Sequence, residues 1–204
     1  MPQGVPTVSP LSILQHAQSS SGNGQSNLVL LEGEAGLGKS HALRIFANQT
    51  SKGLVFTTPS SHWLASILRL CQTNLELERD PAFLEAARRI APDLKWAQVA
   101  QAPNLNDQNS LWNAVGYALE RLAKRVGGLT LLLEDAHDAS ADDLGSLRAL
   151  YRRALLGQAP IQFVITSRPS QHDVLEGFIQ DAAIANAPES SPLRLCARRS
   201  LPGS

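Results

Sequence analysis

The chain has 204 residues, of which 43% are hydrophobic, enough to bury one sizeable core. Its 18 basic and 18 acidic residues cancel, which excludes an overall field that would attract nucleic acid or an anionic membrane. Cys71 and Cys196 are far apart and form no CxxC or Cys/His cluster, which argues against a disulfide framework and a zinc site and predicts buried thiols. The lack of a basic N-terminal leader and of a long apolar run predicts a cytoplasmic protein.

The N-terminal segment, residues 1–27, is predicted to be a loosely ordered arm. It has three prolines among its first ten residues and a Ser/Gly/Gln/Asn stretch at 19–27. Such a composition offers too little apolar surface to offset the entropy lost on ordering. One short helix near 11–18 is the expected exception.

Residues 28–197 are predicted to form one domain, followed by a tail at 198–204. Its apolar runs alternate with segments that place apolar residues on one helical face, which indicates buried strands joined by helices. This order predicts an α/β fold of three layers, with a mainly parallel sheet of about five strands between helices. In chain order we expect a strand at 28–31, a helix at 41–48, a strand at 53–57, helices at 60–75, 81–91 and 110–126, a strand at 129–133, a helix after 140, a strand at 161–165, a helix after 170 and a short strand at 193–195.

Local signals mark the ends of two of these helices. Gly127 and Gly128 stop the helix that begins at 110. Ser140 is predicted to cap the next helix, whose first turn holds Asp142 and Asp143. Acidic side chains are favoured there because the helix dipole is positive at its N-terminus.

The segment between the first strand and the first helix matches the phosphate-loop motif G-x-x-x-x-G-K-[ST] at every fixed position. Glycine lets successive backbone N–H groups converge on a phosphate. Lys39 is predicted to reach the β- and γ-phosphates and Ser40 to bind Mg²⁺. The sequence therefore predicts that Mg²⁺-ATP is bound by Gly33, Glu34, Ala35, Gly36, Leu37, Gly38, Lys39 and Ser40.

An acidic pair follows the strand at 129–133. A hydrolysing phosphate-loop site needs a carboxylate at the end of a neighbouring strand. We assign magnesium to Glu134 and water activation to Asp135, and the reverse stays open because successive strand residues face opposite ways unless the strand has ended. Arg168, after the next strand, is predicted to approach the γ-phosphate. The alternatives are a solvated turn for the acids and a surface position for the arginine.

Three further polar residues are weaker candidates. His137 could contact nucleotide or water, although a loop histidine is more often a hydrogen-bonding surface residue. Arg152 and Arg153 could act in trans as an arginine finger, but placement at the negative end of a helix dipole explains them equally well. Trp63 and Trp112 are predicted to be core residues.

The phosphate loop Gly-Glu-Ala-Gly-Leu-Gly-Lys-Ser, the segment Leu-Leu-Leu-Glu-Asp-Ala-His and the segment Phe-Val-Ile-Thr-Ser-Arg-Pro together resemble the AAA-type ATPase domain of the signal-transducing (STAND) NTPases in MalT- and AfsR-like bacterial regulators. The resemblance covers roughly residues 28–170. It implies a five-stranded parallel sheet, ATP with Mg²⁺, the acidic pair Glu134 and Asp135, Arg168 as a sensor, and a switch that controls attached output domains.

The sequence departs from that family at three places. The family usually has Trp-Ala-Asp after Asp-Ala-His, where this chain has Asp138, Ala139 and Ser140. The usual arginine-containing opening before the first strand is missing. The chain also ends at Ser204, where the family continues into a helical lid, so the predicted fold has no lid.

Two functions follow from these features, with a third less favoured. The first is an ATP-hydrolysing regulatory switch, and the second is a module that holds nucleotide without hydrolysis, as the missing lid would suggest. A small-molecule kinase is less favoured because no second substrate motif is evident. The expected partners are nucleotide and a protein or a second copy of the chain, with no direct nucleic-acid contact and no membrane.

Overall fold

The computed structural model describes residues 11–12, 14–15, 26–50, 53–59, 63–75, 81–93, 108–169, 177, 180 and 193–197. Strands and helices follow one another in the predicted order. Most extend one to three residues beyond the predicted bounds because the apolar pattern marks only the buried middle of an element. They are β1 (Asn27–Gly33), α1 (Lys39–Gln49), β2 (Leu54–Pro59), α2 (Trp63–Asn74), α3 (Pro81–Ile90), α4 (Gln108–Val126), β3 (Leu129–Glu134), α5 (Ala141–Leu156), β4 (Ile161–Ser167) and β5 (Leu193–Ala197).

The five strands form one parallel sheet in the order β2-β3-β4-β1-β5. The predicted α/β fold with a mainly parallel sheet is confirmed. β1, β3 and β4 are buried along almost their whole length, which explains why their sequences are mostly apolar. The expectation that the acidic strand neighbours the phosphate-loop strand is wrong, because β4 lies between β3 and β1.

The sheet separates two hydrophobic clusters. The larger one packs α2, α3, α4 and α5 against one face, and Leu28 and Leu30 of β1 belong to it. The smaller one lies under α1 on the other face and takes Val29 and Leu31, because successive strand residues alternate between faces. Helices therefore cover both faces, as the three-layer prediction requires.

Part of the N-terminal segment packs on the smaller cluster. Leu11, Ser12, Leu14 and Gln15 are helical, in agreement with the short helix predicted there. Leu14 is 0% exposed and belongs to the cluster under α1. The division of the chain at residue 28 stays a prediction.

The start of α5 matches its predicted cap. The Asp143 backbone N–H donates to the Ser140 hydroxyl oxygen at 3.1 Å, and that hydroxyl donates to the Asp143 carboxylate at 2.7 Å. Asp142 and Asp143 lie in the first turn. The Ser140 hydroxyl thus satisfies one N-terminal backbone donor that the helix itself cannot.

Several smaller predictions can also be compared with the fold. Trp63 and Cys71 are buried in the larger cluster, and Trp112 packs against it partly buried. Burial raises the pKa of the Cys71 thiol to about 12, so this thiol is protonated at neutral pH. Of the helix predicted after 170, only Gly177 and Gln180 are described, and both are helical. The side chain of Cys196 lies outside the described part of the chain. Within that part, every helix is too short or too polar to span a bilayer.

Candidate nucleotide-binding site

The predicted site residues meet at one edge of the sheet. Because all strands are parallel, the ends of β1, β4 and β3 lie side by side at the carboxyl edge. Glu32, just before the phosphate loop, is in register with Ser167 at the end of β4. In open α/β sheets, ligands bind in the crevice at this edge.

The backbone of the phosphate loop has the conformation that glycine favours. Gly36 has φ +83° and Gly38 has φ +77°, both left-handed. A Cβ at either position would meet nothing within 4 Å, so the need for glycine is conformational and not steric. The loop therefore turns as an anion-binding backbone nest requires.

The first turn of α1 is open to an anion. Gly38 occupies the N-cap position, where no described side chain makes a capping hydrogen bond, and the first turn holds no acidic residue. The start of α5 differs in both respects, since Ser140 caps it and two aspartates follow. The N-terminal N–H groups and dipole of α1 thus remain available to a phosphate group.

The Lys39 side chain folds back over the phosphate loop. Its Nζ donates to the carbonyl oxygens of Gly33, at 2.5 Å, and of Glu34, at 3.0 Å. Burial lowers the pKa of Lys39 and nearby Arg168 lowers it further, while the negative charges of Asp135 and Glu34 oppose the shift. The acid after β3 and the arginine after β4 are therefore both within electrostatic reach of the phosphate-loop lysine.

The two acidic residues differ in conformation. Glu134 is the last residue of β3 and is half-buried. Asp135 is exposed and left-handed, with φ +57° and ψ +48°, so the strand has ended before it. The alternation of strand side chains therefore does not decide which of the two carboxylates serves the metal, and the assignment to Glu134 stays a prediction.

Asp135 is tied to its surroundings through its backbone. Its N–H donates to the Thr166 hydroxyl of β4 at 3.1 Å. Its carbonyl accepts the Asp138 N–H at 2.9 Å, which closes the short 3₁₀ turn over 136–138. Sequence analysis missed Thr166, because a threonine in an apolar strand is ordinary and its cross-strand partner becomes known only from the sheet order.

His137 packs against the end of β4. Its side chain is 11% exposed and its Nε2 lies 3.6 Å from the Asp138 carboxylate. Its Nδ1 accepts the Arg168 backbone N–H over a long 3.4 Å contact. The histidine is therefore mostly buried within the turn instead of standing on the surface, and it links the acidic segment to the arginine predicted as a sensor.

The arginine-finger candidates lie elsewhere. α5 runs back from the carboxyl edge and ends just before the start of β4, so Arg152 and Arg153 are near the opposite edge of the sheet. The Arg153 Nε donates to the Glu120 carboxylate of α4 at 2.8 Å. Within the chain Arg153 thus serves an ion pair between two helices.

The donors at the carboxyl edge suit magnesium better than a metal held entirely by protein. The described residues contain no cluster of three or more His, Cys, Asp or Glu side chains that could hold a metal ion. Magnesium usually takes one or two protein oxygens together with phosphate oxygens and waters. The Ser40 hydroxyl and the carboxylates of Glu134 and Asp135 are donors of that kind.

Fold and site together define a P-loop nucleotide-binding domain. The chain belongs to the AAA ATPase domain family, whose sequence model matches residues 10–165. No curated protein sequence matches the chain significantly. The family match establishes an ATP-binding P-loop domain.

Solved structures of three proteins are similar to this chain at low identity. The Aeropyrum pernix ORC2 protein, determined as ADPNP-ADP complexes, is 15% identical with a TM-score of 0.50 over 92% of this chain and 46% of its own. A Walker-type ATPase of Pyrococcus abyssi is 17% identical with a TM-score of 0.46 over 91% and 51%. Drosophila ORC bound to DNA is 18% identical with a TM-score of 0.43 over 92% and 45%. The chain thus spans about half the length of these proteins.

Proposed function

We propose that this domain binds Mg²⁺-ATP at residues 33–40, hydrolyses it, and works as a regulatory switch of the signal-transducing NTPase kind. The proposal depends chiefly on one observation: the left-handed phosphate loop and the uncapped start of α1, with Lys39, lie at the same edge of the parallel sheet as Asp135 and Arg168. These are the groups that phosphate binding, water activation and γ-phosphate sensing need. The ADPNP and ADP complexes of the A. pernix ORC2 protein support nucleotide as the ligand.

In this proposal each group has a defined role. The N–H groups of the loop and the Lys39 ammonium hold the β- and γ-phosphates. Ser40 and Glu134 hold magnesium, which when bound neutralises charge on the phosphates. Asp135 orients the attacking water, a role that its left-handed turn away from the strand supports. Arg168 contacts the γ-phosphate and reports its presence.

The test of binding and hydrolysis compares two lysines. ATP affinity with and without Mg²⁺, and phosphate release, are measured for the wild type, for Lys39→Ala and for Lys124→Ala. Lys124 is exposed on α4, so its replacement removes the same charge away from the loop. We expect binding and turnover that are lost only in Lys39→Ala. Binding without turnover would leave a nucleotide-holding module, and absence of binding would overturn the proposal.

The switch requires that the domain distinguish ATP from ADP. Backbone hydrogen exchange of residues 134–138 and 166–168 is compared with an ATP analogue and with ADP bound. We expect slower exchange in the ATP-analogue state because Arg168 would be held by the γ-phosphate. Identical exchange in the two states would exclude the switch while leaving nucleotide binding intact. A protein partner or a second copy of the chain is the expected recipient of the signal.

A further inference from the structure

Asp135 has a backbone conformation that needs support. With φ +57° and ψ +48° it is one of two non-glycine residues with positive φ among those described, and the other, Gln158, lies at the opposite edge. A left-handed backbone is strained for a non-glycine residue, although aspartate enters this region more easily than most residues. Such a conformation persists only where neighbouring contacts hold it.

Thr166 supplies the contact on the N-terminal side of Asp135. β3 and β4 stay in register up to Leu133 and Ile165, and the chain leaves the ladder beyond that pair. The Asp135 N–H then takes the Thr166 hydroxyl as its acceptor at 3.1 Å. Together with the Asp138 N–H bond to the Asp135 carbonyl, this fixes the peptide groups on both sides of the residue.

The position of Thr166 in the sheet places this bond at the reacting edge. Thr166 is 1% exposed and in register with Leu31 of β1. Leu31 and Val164 belong to the cluster under α1, so strand alternation puts the Thr166 side chain on the α1 face. Asp135 is thus fixed on the side of the sheet where α1 begins with Lys39.

Packing alone does not explain why residue 166 is a threonine with a hydroxyl group. Valine has nearly the same shape as threonine and an equal preference for strands, so it would fill the same buried space in β4. What valine lacks is the oxygen that accepts the Asp135 N–H. This N–H is part-buried, so the loss of its acceptor would weaken the turn and let it move to find another.

We propose that Thr166 is a positioning residue whose hydroxyl holds Asp135 in its left-handed conformation and so keeps the carboxylate at the phosphate-loop edge. The inference goes one step beyond the proposed function and relies on it only for the effect on turnover. The His137 contact to Arg168 braces the same two segments from the other side of the turn. Thr166 itself touches neither phosphate nor water in this role.

The experiment compares Thr166→Val with Thr166→Ser and with Thr130→Val. Thr130 is a buried threonine near the start of β3, whose hydroxyl lies 3.4 Å from the Gln162 side-chain oxygen, so its replacement removes a hydroxyl from the same strand pair far from the site. In the nucleotide-free protein, NMR follows the amide exchange and backbone chemical shifts of Asp135. Steady-state turnover and ATP affinity are measured on the same variants.

We expect Thr166→Val to accelerate exchange of the Asp135 amide about tenfold and to shift its backbone resonances away from left-handed values. kcat should fall roughly 10- to 100-fold, as expected for a slightly misplaced group, with ATP affinity within about threefold of wild type. Thr166→Ser and Thr130→Val should keep both properties. In an Asp135→Asn background, Thr166→Val should cause no further loss of kcat, because it acts through that carboxylate.

Two results would overturn the inference. One is an Asp135 amide and backbone unchanged in Thr166→Val. The other is a displaced Asp135 with kcat at the wild-type level. A wild type that binds nucleotide without turnover would refute the hydrolysis part of the proposed function alone. The NMR comparison would still decide whether Thr166 positions Asp135, since it needs no nucleotide.

Discussion

Two glycines with the same φ allow backbone strain to be separated from steric clash. Gly38, at the start of α1, and Gly53, just before β2, both have φ +77°. A Cβ on Gly38 would meet nothing within 4 Å, whereas a Cβ on Gly53 would collide with the Gly128 carbonyl oxygen. Replacing either glycine by alanine therefore adds the same left-handed strain, but only Gly53→Ala also adds a collision with the backbone.

The expected costs follow from these contacts. Left-handed strain costs about 1–2 kcal/mol, and the lower freedom of alanine in the unfolded chain offsets about 0.4–1 kcal/mol, so Gly38→Ala should lower the unfolding free energy by roughly 1 kcal/mol. For Gly53→Ala, overpacking adds about 1–3 kcal/mol. The displaced Gly128 oxygen also accepts the Leu54 N–H at 3.0 Å. The total for Gly53→Ala is about 3 kcal/mol, a large share of ordinary domain stability.

ATP affinity should be affected in the opposite order, more by Gly38→Ala than by Gly53→Ala. If the phosphate loop of the Gly38→Ala variant relaxes from the left-handed conformation when free, the loss of stability is smaller than given above. The strain of about 1–2 kcal/mol is then restored on binding and weakens ATP affinity about 5- to 30-fold. Gly53 lies at the start of β2, near the amino edge of the sheet, so Gly53→Ala should bind ATP like the wild type while folded. Urea unfolding and equilibrium nucleotide binding measure the two quantities. Equal stability of both variants, or an unchanged affinity and stability for Gly38→Ala, would refute the reasoning.

Three further outcomes are expected. Asp135→Asn should lower the pKa of Lys39 and Arg168→Gln should raise it, because the Asp135 charge opposes the fall of this pKa and the Arg168 charge adds to it. NMR of the Lys39 Cε measures the titration midpoint, and shifts of the same sign in the two variants would contradict the geometry. Lys39→Met should not destabilise the domain below pH 10.5, because the lowered pKa means that folding disfavours the charged lysine there. In the wild type this cost of folding falls as the pH rises toward 10.5. A large loss of unfolding free energy in Lys39→Met would show instead that the lysine stabilises the loop. Ser140→Ala should cost about 1 kcal/mol of unfolding free energy by removing the α5 cap, while Ser140→Asp should keep most of it.

The sequence was most informative where a pattern is local. The phosphate loop lies between a buried strand and an uncapped helix, as its motif requires, and Ser140 caps α5 as its spacing to Asp143 indicates. Largely apolar runs identified β1, β3 and β4 because burial on both faces favours apolar residues at most of their positions. These features depend on residues within a few positions of one another, which a single sequence displays directly.

What the sequence could not reveal depends on contacts between distant segments. Thr166 meets Asp135 across 31 positions of the chain, and His137 meets Arg168 across another 31. Leu14 lies in the short helix that was predicted, but its burial under α1 could not be predicted, because the cluster that it joins is built from distant strands. The left-handed conformation of Asp135 also could not be predicted, since nothing in its neighbours demands it until β4 is in place.

The sheet order makes β4 the element that sets the geometry of the site. The phosphate loop and the acidic pair never share a ladder, so their separation is fixed by β4, which pairs with β1 on one side and with β3 on the other. Phe163 and Val164 of β4 anchor that strand in opposite hydrophobic clusters. A change of packing in either cluster would therefore move Thr166 and Arg168 relative to both neighbours at once. A γ-phosphate held by Arg168 would act on the same strand in the reverse direction, which is how a nucleotide state at this edge could reach surfaces far from it.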